Sequence, residues 1–448
     1  MKARLLFAAA LLCATVCQHR AAIAAGFAVP EHGTRKNAMG AVIGRPDDLS
    51  AIYHNPAGLI LTRGTNLYIN AGVLLPTTDI NLRPWPGSDR YINEPVTAEG
   101  YYPQIQPKRA FGVVPMLVGS TDFGRDDIVV ALGAFAGNAA GGAFADDSLA
   151  RYHLLDSYIV GLYVTGAVAW RPHRYISIGA ALSAVYLRIR AKRDLFPVLN
   201  GIDLGGLLGG QSKLYLAGED VKPRFSFGLL FTPHKRLSIG VAMLTRVDIK
   251  LEGDVRVTSG ADAPRKFTFE GRQKTALLFP WSLHLGANVD VFSWLELGLE
   301  LRYWFYSQFV EQRTEVTGIS LLDELLTPKN YHDSIQASGG VRISPPFVPG
   351  LEVMLGMHYD RTPAPDNTLS IEQPTFNHWG FHSGLRYRIN SRFRVSVTYA
   401  HYIYVERTTD KTLLKNPPSN YRASGEGNWV TAVFEARFEP FQRSSKRR

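Results

Sequence analysis

The chain has 448 residues, a formal charge of +10, 46% hydrophobic residues, 11% aromatic residues, 41 glycines and two cysteines. Both cysteines, Cys13 and Cys17, lie in the first 24 residues, which read as a signal, so the remainder holds no disulfide and no thiolate metal site. That remainder has no apolar run of ~18 residues, which excludes a helical membrane protein. Its mean hydropathy close to zero suits strands that alternate an apolar and a polar face.

Lys2 and Arg4 precede an apolar run from Leu5 to Val16 and small residues ending at Ala22-Ile23-Ala24. This reads as a secretory signal over 1–24, cleaved after Ala24 or Ala25. The run is shorter than the ~20 residues of a spanning helix, and Ala14-Thr15-Val16 fit a lipid-attachment site at Cys17 poorly. Removing Lys2, Arg4 and Arg20 leaves +7, and a basic tail over 442–448 (Arg443, Lys446, Arg447, Arg448) supplies four of these charges. The body is then about +3, no basis for nucleic-acid binding.

Residues 25–62 are mostly polar and lack strand alternation. Asp47 is placed to cap a short helix through Tyr53, and Pro56 pushes Asn55 to an extended conformation that stops it. From 63 to 441 the chain reads strand, turn, strand. In Thr65–Leu75, Leu67, Ile69, Ala71, Val73 and Leu75 share one face and Asn66, Tyr68, Asn70 and Gly72 the other, a period of two.

Similar segments follow near 109–118, 127–138, 155–170, 174–190, 222–232, 236–250, 265–278, 280–291, 294–310, 331–344, 350–360, 378–389, 392–405 and 428–438, the last with Val430, Ala432, Phe434, Ala436 and Phe438 on one face. That makes fifteen, whereas single-chain barrels have an even number. The pair meeting at Phe279-Pro280 has no turn signal, and a lone proline sits at a bulge, so the count becomes fourteen. Tight polar turns such as Arg171–Arg174, Pro233–Arg236 and Asn390–Arg392 alternate with long connections, and aromatics recur near strand ends. The expected fold is all-β: a 14-stranded antiparallel transmembrane β-barrel in a Gram-negative outer membrane, with an N-terminal helical hatch over 25–62 plugging the lumen. A soluble sandwich would not need lipid-facing alternation carried to a terminal aromatic residue.

Gly133 and Gly137 on the third strand, running into Ala139–Gly142, mark the expected kink; the alternative is small residues packing against the hatch. Leu195–Gly210, with Leu204, Leu207 and Leu208, is too apolar for an ordinary exposed loop and reads as a capture surface together with Ile319–Leu326. There is no Gly-x-Ser-x-Gly and no His-Glu-x-x-His, and the twelve histidines do not cluster along the chain. His54, His378, His382 and His401 read as lumen or interface groups. No catalytic residue, cofactor or metal is expected.

The residues Gly26-Phe27, Asp47-Asp48, Asn55–Leu59, Ala184–Tyr186 with basic residues after it, Trp304–Phe309, Tyr359–Pro365 and Gln373–Gly384 carry a resemblance. Over essentially the whole mature chain the sequence resembles the outer-membrane transporters of long-chain fatty acids and hydrocarbons of the FadL and TodX type. The resemblance implies capture in a greasy groove of extracellular loops, an inner pocket where a basic group meets a carboxylate, and sideways exit at a kinked strand. It makes Asn55, Pro56 and Ala57 the hatch motif, Arg188 the inner-site arginine with Arg190 on the same face, and Lys329 a second basic group. Phe27 would insert into the pocket, and Asp360 would pair with hatch groups near Asn55.

The expected ligand is a long-chain fatty acid or similar hydrophobic molecule, the other partner outer-membrane lipid, and the protein a monomer. Neutral hydrocarbon uptake by the same route is one alternative. A general diffusion porin is another, though it would need neither hatch nor apolar loops. The first apolar loop is shorter than in the fatty-acid transporters.

Overall fold

The computed structural model describes residues 31–438 except 109–111, 200–201, 204–211, 262, 320–321, 323, 373 and 416. The signal, Phe27, the leucines 204, 207 and 208, and the basic tail lie outside the described residues.

Fourteen strands close a barrel: β1 (Thr65–Leu82), β2 (Gly112–Thr121), β3 (Ile128–Ala143), β4 (Asp156–His173), β5 (Ile176–Asp194) and β6 (Lys213–His234) are followed by four interrupted strands. These are β7 (Leu237–Leu244 and Val247–Thr258), β8 (Thr268–Phe279 and Ser282–Phe292), β9 (Leu295–Trp304 and Glu311–Thr317) and β10 (Glu324–Pro328 and Ser334–Ile343). Then come β11 (Leu351–Asp360), β12 (His378–Arg388), β13 (Phe393–Thr409) and β14 (Tyr421–Phe438). Each pairs antiparallel with the next, and β14 closes on β1 from Thr65↔Phe438 to Leu82↔Tyr421. The two halves of β8 pair with the same neighbour, Ser282 with Leu244 and Phe279 with Val247, so the segments meeting at Phe279-Pro280 are one strand.

One rim carries turns as short as Arg174-Tyr175 and Lys235-Arg236, and the other carries the long connections. Several strands exceed the ~9–11 residues that a tilted span requires, so the barrel projects beyond the bilayer on the long-loop side. The breaks at Thr245-Arg246 and Pro280-Trp281 change which face each side chain takes. On β7, Ile239, Val241 and Met243 face lipid, but beyond the break Ile249, Leu251 and Val255 are buried while Lys250, Glu252 and Asp254 are exposed. The membrane zone is therefore apolar outside, and the projecting zone is apolar inside. Arg224 of β6 donates to the carbonyls of Thr245 and Pro280 at 3.0 and 3.2 Å, satisfying backbone groups freed by both breaks.

The hatch fills the lumen at membrane level with α1 (Thr34–Met39), α2 (Ala51–His54) and a 3₁₀ turn over Pro56–Leu61. Asn55 is extended (φ −157°, ψ 98°) and ends α2 as expected. The residue at the start of α2 is Ser50 rather than Asp47; Asp48 accepts from the Ser50 amide at 2.8 Å. The wall makes room with inward glycines: a Cβ on Gly179 or Gly228 would strike Ala57, on Gly240 the Ile43 carbonyl, and on Gly340 or Gly356 the Met39 carbonyl.

Candidate functional site: hatch, cavity and side window

The hatch is fastened by buried charge. Arg35 donates to Glu296 on β9 at 2.7 Å and to Asp47 at 2.8 Å. Asp47 also accepts two bonds from Arg386 on β12, and Arg386 reaches Glu352 on β11. Burial alone would raise the Asp47 carboxyl, but Arg35 and Arg386 overcome it and hold it well below the carboxylate range. Lys36 donates to Glu300 at 3.0 Å, to Gln336 at 2.8 Å and to the Gly40 carbonyl at 2.7 Å. Glu300 in turn accepts from the amides of Val42 and Ile43 at 2.6 and 2.8 Å. Burial and Arg302 lower the Lys36 ammonium against the pull of Glu300.

The motif residues act within the hatch and against β6. Asn55 Oδ1 accepts from the Ala57 amide at 3.1 Å, and Nδ2 donates to the carbonyls of Ile43 and Leu229, each at 3.2 Å. Pro56 opens the 3₁₀ turn, where its missing N–H costs nothing. Asp360 does not pair near Asn55: its Oδ2 accepts from Gln336 at 3.1 Å, and Gln336 receives Lys36, so any link from Asp360 to the hatch runs to α1.

Histidines scattered in sequence meet because β11 and β12 are neighbours. His358 Nδ1 lies 2.6 Å from His382 Nε2, and His358 Nε2 lies 3.0 Å from His378 Nε2. His382 Nδ1 faces the Asn37 carbonyl of α1 at 3.1 Å and must donate to it. With all three rings neutral, His358 then donates to His382, and His378 to His358. Among the described residues no group of three or more His, Cys, Asp and Glu is arranged to hold a metal ion.

Above the hatch, in the projecting zone, lies a cavity of about 700 Å³. Leu214, Leu277, Leu322 and Leu325 give it an aliphatic wall, and Lys329, Arg193 and Glu372 bring charge to it. Lys329, in the interruption of β10, is 4% exposed, its ammonium 6.0 Å from the Tyr331 ring centroid. Arg193 holds Glu372 at 3.2 Å. Of the Ile319–Leu326 stretch, Ile319 and Leu322 are buried against Leu214, Val255 and Val257, and Glu324–Leu326 belongs to the strand Glu324–Pro328, with Leu326 exposed.

Arg188 and Arg190 are not inside. On β5, Val185 and Leu187 are buried in the lumen, while Arg188 and Arg190 are exposed on the face that carries Leu182. The alternation of Val185, Leu187 and Ile189 with Tyr186, Arg188 and Arg190 suggests arginines in the lumen, but in the projecting zone the apolar face turns inward and the arginines lie outside.

The wall has a side window. β3 pairs with β4 along its whole length, but among the described residues with β2 only from Val130↔Thr121 to Phe135↔Met116. Beyond that point Gly137 is the extra residue of a bulge, and Gly112–Pro115 of β2 pair with β1 but not with β3. Lys108 rejoins the edge by donating to the Ala143 carbonyl at 2.7 Å. Gly133 instead sits in regular pairing, where a Cβ would meet Val118 at 3.0 Å and Ile52 of the hatch at 3.3 Å, the packing alternative. His32 of the hatch lies 2.6 Å from the Ala136 carbonyl beside the bulge, and Tyr53 packs edge-on to Phe135.

Sequence reasoning missed Arg35, Lys36, Glu296, Glu300 and Arg386. The available signal was Glu296, Glu300 and Arg302 at lumen positions of β9, alternating with Leu297, Leu299 and Leu301: charges in a membrane strand need partners inside.

The family described as "Outer membrane protein transport protein (OMPP1/FadL/TodX)" matches residues 15–438. A protein of Neisseria meningitidis serogroup B named as an outer membrane protein is 21% identical over 407 residues, 82% of either chain. The crystal structure of a Pseudomonas aeruginosa FadL homologue superposes with a TM-score of 0.77 at 17% identity, covering 93% of this chain and 100% of that one. The Pseudomonas putida toluene transporter TodX gives 0.73 at 15% identity, covering 92% and 99%. The Ralstonia pickettii toluene transporter TbuX gives 0.65 at 16%, with the same coverage. At these identities the solved structures speak for the fold.

Proposed function

The chain belongs to the OMPP1/FadL/TodX family of outer-membrane transporters of hydrophobic compounds, and we propose that its cargo is a long-chain fatty acid, bound in the upper cavity and released sideways into the bilayer. The observation that carries this is Lys329, a buried ammonium in a cavity of mixed lining with a leucine wall, with no ion pair to any described residue. A buried charge is costly until it is matched, and a carboxylate at the end of an acyl chain matches it. The chain itself costs about 0.8 kcal/mol per CH₂ to keep in water, so leucine walls favour it where a wet pore would not. Arg193, already engaged by Glu372, stands ready as the second cation. Below the cavity the hatch blocks the straight path, and the gap between β2 and β3 supports a lateral exit past Gly137.

A neutral aromatic cargo taking the same route is the second reading. The toluene named for TodX and TbuX favours it. The discriminating experiment is uptake of labelled oleate and of labelled toluene by cells lacking their own transporter, comparing wild type, Lys329→Met and Arg188→Ala. Oleate uptake should fall roughly tenfold in Lys329→Met, the loss of one charge-assisted contact, with toluene spared and Arg188→Ala like wild type. Entry of toluene alone, or indifference to Lys329→Met, overturns the fatty-acid reading.

A further inference from the structure

Arg188 and Arg190 face outward at a defined height, and their surroundings form a site of their own. We propose that the outer face of β5, just above its lipid-facing band, binds the phosphorylated headgroup of a lipid anchored in the surrounding outer leaflet.

Along β5 the outward side chains run Ile178, Ala180, Leu182, Ala184, Tyr186, then Arg188 and Arg190. Apolar groups that contact acyl chains thus give way, through one tyrosine, to two arginines on alternate residues, about 7 Å apart. The neighbouring strand changes at the same height: Phe225 and Val221 of β6 are exposed, and Glu219 follows, paired in register with Arg188.

That acid makes no direct ion pair with the ridge. Glu219 accepts the Tyr186 hydroxyl at 2.5 Å, and no ion pair among the described residues involves Arg188, Arg190 or Lys192. The Arg190 guanidinium instead lies 5.3 Å from the Tyr215 ring centroid, on a platform that holds the fork open. Farther round the barrel three outward cations are matched: Arg272 with Asp254 at 2.6 Å, Arg256 with Glu270 at 2.8 Å and Lys274 with Glu252 at 3.1 Å. Unmatched arginines beside tyrosines are suited to the planar, two-point recognition of phosphate. The acyl chains of the same lipid then lie on Leu182, Ala184 and Phe225 below. The ridge is continuous with the membrane face, so the phosphate it meets is one the leaflet carries.

The test is native mass spectrometry of the purified full-length protein, titrated with diphosphoryl lipid A, with its dephosphorylated form and with inorganic phosphate. Diphosphoryl lipid A should bind wild type at least about tenfold more tightly than it binds Arg188→Gln/Arg190→Gln. The dephosphorylated form should bind both proteins alike, and millimolar inorganic phosphate should fail to compete. Arg256→Gln/Arg272→Gln, which removes matched cations from the same surface, should bind like wild type, and heat-modifiable mobility in gels reports that each variant is folded. Equal binding to wild type and Arg188→Gln/Arg190→Gln, or equal binding with and without phosphates, overturns the proposal. Competition by inorganic phosphate overturns the lipid as its occupant.

Discussion

Arg386 of β12 grips Asp47 of the hatch through two parallel hydrogen bonds of 3.1 and 3.2 Å. Replacing it with methionine leaves Asp47 and Glu352 without their shared cation. Breaking a fully buried pair costs ~3–5 kcal/mol, and Asp47 is 20% exposed, so the lower part of that range applies. The expected outcome for Arg386→Met is a folded barrel whose hatch is cut faster by added protease, with a raised single-channel conductance. An unchanged hatch cleavage rate would show that Arg35 holds Asp47 alone.

Gly340 faces the Met39 carbonyl so closely that any Cβ must displace it. Gly340→Val should lift α1 off the wall and raise permeability to a hydrophilic antibiotic several-fold, since close packing leaves no room for an added side chain. Gly166→Val, on the lipid face with nothing within 4 Å of its Cβ position, should behave as wild type.

The pH response of hatch docking has two opposed limbs. Burial holds the His32 imidazole down to about 4, the bond to Ala136 opposing. The released hatch takes up this proton near 6.5 and the docked hatch only near 4, so docking strength is full above 6.5 and is lost as pH falls, by up to ~2 kcal/mol at pH about 5. Glu31, pushed up to about 7 by burial against Lys36 and Arg302, has the other sign. Its contribution is full below 4.5 and is lost as pH rises through about 7. Spin-label mobility in the hatch should therefore rise more steeply on acidification in Glu31→Gln than in wild type, and less steeply in His32→Gln.

Gly137 is the extra residue of the β3 bulge, where a Cβ would lie 2.6 Å from the Tyr163 ring. Gly137→Val should push that ring from its stack on Phe135 and narrow the window. Uptake should fall about tenfold, the effect of ~1.4 kcal/mol on the limiting step, while heat-modifiable mobility is retained. Uptake at the wild-type rate would send the cargo elsewhere.

The strand count was legible because a period of two runs through most of the membrane-level segments, and a terminal strand as clean as Val430–Phe438 leaves one choice of lipid face. The hatch was legible from Asn55-Pro56, whose extended geometry is a local steric matter. Arg188 shows where that reading stops. Ala184, Tyr186 and Arg188 alternate with Val185, Leu187 and Ile189; alternation separates the two faces but does not say which one is turned inward above the membrane, and that choice separates an anchor in the lumen from a cation on the surface.

By itself the sequence determined what repeats or acts locally: fourteen alternating strands, short turns on one rim, a non-β segment ahead of them, and a proline-stopped helix. Only the closed barrel decided the rest, because it depends on which residues distant in the chain share a height and a face. The breaks at Thr245-Arg246 and Pro280-Trp281 turn the alternation inside out and line the cavity where Lys329 is buried with leucines. Strand adjacency gathers His358, His378 and His382, and brings Glu296 and Arg386 around Arg35 and Asp47. A charge on a strand names its partner only when the wall has curved round to meet it.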